Sequence, residues 1–91
     1  MVWAKHCDTA WRNEKLRRAG LMAEGLYWRA ISYSSDVQSE GRVPHYMITA
    51  LSDPEVPPEP LVQRLVKEQL WHEAEGGWVI HDFLEYNPTA R

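Results

Sequence analysis

PEPLVQRLVKEQLWHEAEGGWVI, residues 58–80, carries two periodicities in succession. In its first half Leu61, Val62, Leu65, Val66 and then Gln69–Leu70 recur at intervals of three and four. That spacing gathers an apolar stripe on one side of a helix and leaves Gln63, Arg64, Lys67 and Glu68 on the other. Leu70-Trp71 ends the stripe. In the second half, β-prone residues lie on both sides of Glu75-Gly76-Gly77, from His72 to Ala74 and from Trp78 to Phe83. A glycine-bearing tip between two such runs signals a hairpin.

Outward toward the N-terminus, Ser52–Pro60 holds four of the six prolines and cannot continue a helix. It predicts a stiff turn, with Pro60 in the first turn of the helix that follows. Before it, His45–Leu51 predicts a helix opened by Pro44, and Arg42-Val43 a very short strand. Ser34–Gly41 is polar and turn-rich. Leu21–Ser35 is the longest helical candidate, with Ala23, Leu26, Tyr27, Ala30, Ile31 and Ser34 on one face. Gly25 inside it costs about 1 kcal/mol relative to Ala unless a neighbour needs close approach. Asn13 suits the cap of a short helix over Glu14–Ala19, closed by Gly20. Toward the C-terminus, Asp82 and Glu85 have capping-box spacing for a last turn stopped at Asn87-Pro88. The divisions are an arm and short helix over 1–20, a helical core over 21–70, a hairpin over 71–83 and a tail over 84–91. The expected core is Leu21, Leu26, Ile31, Val43, Ile48, Leu51, Leu65, Val66, Trp71 and Ile80.

Ninety-one residues at 44% hydrophobic make one small domain. With Cys7 the single cysteine, no intramolecular disulfide forms. No apolar run reaches the roughly 18 residues of a membrane span. A cytoplasmic protein with no membrane partner is expected. The net charge of −3 is uneven: residues 1–42 hold seven Lys/Arg against five Asp/Glu, residues 43–91 three against eight. Strong nucleic-acid binders carry a basic surplus, which this chain has only in its first half.

Helices followed by a helix that runs directly into a hairpin is the plan of a winged helix-turn-helix, an α+β and mostly helical fold. AGLMAEGLYWRAISYSSD (19–36), EGRVP (40–44), LVQRLVKEQLW (61–71) and GGWVIHDFLEYNPTAR (76–91) carry a resemblance as well. The chain resembles small winged-helix proteins of actinobacteria and their phages, similar in turn to the N-terminal domains of phage replisome organisers and replication initiators. The resemblance spans Trp3 to Arg91, with IHDFLEYNP its most specific part. It implies double-stranded DNA binding in phage replication or gene regulation, and no catalytic residues.

In that fold the helix before the wing enters the major groove. Arg64 suits a guanine edge, Gln63 an adenine edge and Lys67 a phosphate. Glu55, Glu59, Glu73 and Glu75 around them repel phosphate, and the alternative for these side chains is a solvated helix face. A second basic strip is Lys15, Arg17 and Arg18, with Arg12 and Arg29 nearby. The competing reading is a protein-interaction module that redirects or inhibits a host protein, or pairs with its own copy as a homodimer. Its candidate interface is Trp28, Trp71, Trp78 and Tyr86, residue types favoured at interfaces. No metal-ligand spacing exists: His6, Cys7 and Asp8 are merely adjacent, and His72 and His81 are brought near one another only by a hairpin. No nucleophile–base spacing or phosphate loop is present, so no enzyme, cofactor or small-molecule substrate is expected.

Overall fold

The computed structural model describes residues 12–81 and Phe83. Its elements are α1 (Glu14–Ala19), α2 (Leu21–Val37), β1 (Arg42–Pro44), a 3₁₀ turn over His45–Met47 continuing into α3 (Ile48–Leu51), α4 (Pro58–Lys67), β2 (Trp71–Ala74) and β3 (Gly77–Ile80). The three strands form one antiparallel sheet in the order β1-β3-β2. The architecture is α+β, helices followed by a C-terminal hairpin, as the two periodicities of residues 58–80 predict.

Local chemistry sets the helix ends. The Asn13 side chain accepts from the Leu16 N–H at 3.1 Å, and the Gly20 N–H donates to the Leu16 carbonyl at 3.1 Å. Gly20 has φ 97°, a conformation that costs a glycine little, and it separates α1 from α2. Along α2, Ala23, Leu26, Tyr27, Ala30, Ile31 and Ser34 are buried, which is the expected stripe. Leu21, expected in the core, is instead 88% exposed. It stands two residues before Ala23, about 200° around the helix, on the row it shares with exposed Gly25.

The segment around Pro44 differs from its expected form. Pro44 has φ −66° and ψ 149°, so it ends β1 instead of opening a helix. The expected helix over His45–Leu51 is divided into the 3₁₀ turn and α3. Ser34 ties this region to α2: its Oγ accepts from the Gly41 N–H at 2.6 Å and contacts the Ser39 Oγ at 2.7 Å. The Ser39 hydroxyl also donates to the Arg42 carbonyl at 2.8 Å.

Three prolines surround the start of α4, where missing N–H groups cost nothing. The helix begins at Pro58, taking in the last three residues of the expected turn, with Pro60 in its first turn as expected. Leu61, Val62 and Leu65 are buried. The helix ends at Lys67, because Gln69 turns left-handed at φ 62° and the Leu70 N–H reaches back to the Leu65 carbonyl at 2.9 Å. Gln69, placed on the stripe by periodicity, is exposed, while Leu70 stays buried.

β2 and β3 pair with Trp71 opposite Ile80 and Ala74 opposite Gly77. The tip is Glu75-Gly76 alone, with Gly76 at φ 79°. Gly77, expected at the tip, is a buried strand residue opposite Pro44. A Cβ there would overlap the Val43 carbonyl oxygen, so glycine lets β1 approach β3.

The core comprises Leu26, Ile31, Val43, Leu65, Trp71 and Ile80 of the expected set, with Leu16, Ala19, Leu61, Val62, Leu70 and Phe83 among its other members. Ile48, Leu51 and Val66 are half-buried against its edge. The capping box at Asp82, the segment with His6, Cys7 and Asp8, and the C-terminal tail fall outside the described residues.

Candidate interaction surface

The outer side of α4 divides into two rows, and different neighbours meet each. The Arg64–Glu68 row faces α1. The Arg64 guanidinium donates to the Ala19 carbonyl at 3.3 Å, at the C-terminal end of α1. The Arg18 Nε–H donates to a Glu68 carboxylate oxygen at 2.8 Å, and Arg18 also lies 3.5 Å from Glu14. The hydrogen bond and negative charge of Glu68 raise the Arg18 pKa further above its ordinary value. Two of the six cationic or polar residues expected to meet DNA therefore join helices of the same molecule.

The Gln63–Lys67 row opens onto a groove of about 410 Å³ between α4, α3 and the wing. Ile48, Pro58, Val62, Val66 and Trp78 form its apolar walls. Glu59, Gln63, Lys67 and Glu73 form its polar rim. Two carboxylates against one ammonium leave the rim net negative. The wing, residues 71–80, carries Glu73 and Glu75 and no Lys or Arg. Trp78 is held by its surroundings: its ring lies 4.6 Å from that of His45 and 5.8 Å from that of Trp71.

The groove accounts for the half-burial of Ile48 and Val66. Periodicity identifies them as apolar-stripe residues but carries no information about whether that stripe is completely covered. Their signal in the sequence is that the helical stripe is wider than one small neighbour, here the four-residue α3, can cover.

The expected interface residues are distributed unequally. Trp78 lines the groove. Trp71 is fully buried on β2, opposite Ile80 of β3 in a strand that packs against α4, and offers no surface to a partner. Its large ring is the wedge between helix and sheet, which is why it fits the core expectation and not the interface one. Trp28 is half-buried on α2, where its Nε1–H donates to Glu24 at 3.2 Å and its ring meets Tyr27 edge-on at 5.2 Å. Tyr86 lies outside the described residues. Of the remaining cations, Arg17 is exposed and Lys15 half-buried on α1, and Arg29 donates to the Leu51 carbonyl at 3.2 Å.

Among the described residues no three His, Cys, Asp or Glu side chains gather into a metal-holding group, and no helix is long and apolar enough to cross a membrane. No protein-family model, curated protein or solved structure matches this chain.

Proposed function

We propose that this chain is a non-catalytic protein-binding module whose α4–wing groove receives an amphipathic helical segment with apolar residues flanked by Lys or Arg. The observation that carries this reading is the combination of apolar walls and a net-negative rim in one groove. The apolar walls favour a partner that brings leucine-like side chains. The Glu59 and Glu73 carboxylates favour a cationic partner and repel phosphate. With the resemblance to phage and actinobacterial proteins, the natural partner is a bacterial host protein met in the cytoplasm.

Backbone amide NMR tests this directly. A Leu/Lys amphipathic peptide of roughly 14 residues, long enough to form helix on a surface, should shift Val62, Gln63, Val66, Glu73 and Trp78. A Leu/Glu peptide of the same pattern should not. Equal responses to both peptides, or shifts centred elsewhere, would reject the groove as the site. Concentration-dependent shifts with no peptide would assign it to a second copy of the chain.

DNA binding is the second reading, supported by the helix-plus-wing architecture and by Gln63 and Lys67 on the open side of α4. It requires a duplex affinity that falls steeply with salt, since phosphate contacts release counterions.

A further inference from the structure

We propose that His72 and His81 form a two-imidazole site for a divalent late transition-metal ion, Cu²⁺, Ni²⁺ or Zn²⁺, at the base of the wing. The two rings come from opposite strands of the hairpin. His72 pairs with Val79 in register, and the His81 N–H donates to the Leu70 carbonyl at 2.8 Å, so pairing continues past the end of β3. His81 is two residues from Val79, which puts the two histidines at diagonal positions on one face. That face is opposite the one carrying Trp71 and Glu73, because strand side chains alternate. A metal bound there leaves the groove open.

The donor atoms already converge. His72 Nε2 and His81 Nδ1 are 2.7 Å apart, with ring centroids at 4.9 Å and planes at 70°. One ring nitrogen donates to the other at that distance, and a metal ion takes the place of the shared hydrogen. Metal–imidazole bonds of about 2.0–2.1 Å put two donors about 2.9 Å apart at a right angle and about 3.4 Å apart at a tetrahedral one. The right-angle arrangement, which tetragonal Cu²⁺ and Ni²⁺ prefer, lies only a few tenths of an ångström from the observed separation. Both side chains are exposed to solvent, from which a metal ion would arrive. His72 binds through Nε2 as its Nδ1–H tautomer and His81 through Nδ1 as its Nε2–H tautomer; water completes the coordination. The bound ion joins the two strands of the hairpin at its base.

Calorimetric titration of the full chain with NiCl₂ and CuCl₂ tests the site. The wild type should bind one equivalent of metal. H72Q and H81Q should each weaken binding about tenfold or more, at least as much as losing a supporting contact at a metal site. H45Q and the double variant H6Q/C7S should bind as the wild type does. Thermal unfolding gives a second readout: metal should raise the Tm of the wild type and leave those of H72Q and H81Q in place. Binding that survives in both H72Q and H81Q, or disappears in H6Q/C7S, overturns the proposal. So does the absence of any metal binding by the wild type.

Discussion

Gly25 and Gly77 sit in regular elements and have opposite reasons for being glycine. A Cβ at Gly77 would overlap the carbonyl of Val43 and crowd Pro44, so the β1–β3 contact depends on its absence. Gly77→Ala should destabilise the fold by about 1–3 kcal/mol, the usual range for overpacking, with a lower urea midpoint. Around Gly25 a Cβ meets nothing within 4 Å, and its helix runs on for twelve residues beyond it, to Val37. Gly25→Ala should therefore stabilise the protein by about 0.5–1 kcal/mol through helix propensity. An unchanged or lower midpoint for this variant would mean that the α2 surface is covered. The sequence poses the Gly25 question, close approach or a tolerated cost, and the open space around it gives the answer. At Gly77 the paired glycines suggest a hairpin tip, and only the register of β1 shows that the second one is a contact residue.

At the scale of elements, α4 is the centre, and its two rows do different work. Arg64 belongs to the seam with α1 through its bond to Ala19. Arg64→Ala should cost about 1 kcal/mol or less in stability, since the contact is partly exposed, and should leave duplex affinity unchanged. A duplex affinity lowered tenfold with stability intact would return Arg64 to a DNA face. The other row sets the groove's charge. The double substitution Glu59→Lys and Glu73→Lys should reverse its preference from the Leu/Lys to the Leu/Glu peptide, as seen in the same amide shifts. Retention of the Leu/Lys preference would show that the rim does not select the partner. The apolar stripe and its polar complement are both legible in residues 58–70. Which polar residues face a neighbouring helix is not, because that depends on where α1 lies after a 45-residue excursion of the chain.

For the molecule as a whole, charge is the property on which the two proposed partners differ. Within the described part of the basic half, α1 carries Lys15, Arg17 and Arg18, and Arg18 is paired with Glu14 and Glu68. The acidic half supplies the groove rim and the wing. Titration into labelled duplex at about 50 and 200 mM salt should show at most weak binding with a shallow salt slope. Six to ten phosphate contacts would instead give a loss of about 10³–10⁵-fold over that range. A slope of that size would favour DNA as the partner and reject the groove reading. The composition shows the imbalance between halves, but the pairing of Arg18 with Glu68 across fifty residues is a property of the folded chain.

The sequence by itself determined the local structure: the Asn13 cap, the α2 stripe, a helix after the proline-dense turn and the hairpin that follows it. These follow from hydrogen bonding and side-chain periodicity within a few residues. The tertiary structure decided which surfaces are covered and which stay open. Packing carried Arg18 and Arg64 into a helix seam, left Ile48 and Val66 along an open groove, and brought His72 and His81 within 2.7 Å. Such outcomes depend on which distant element lies against a given face, and a face is chosen only when the whole apolar surface is buried together.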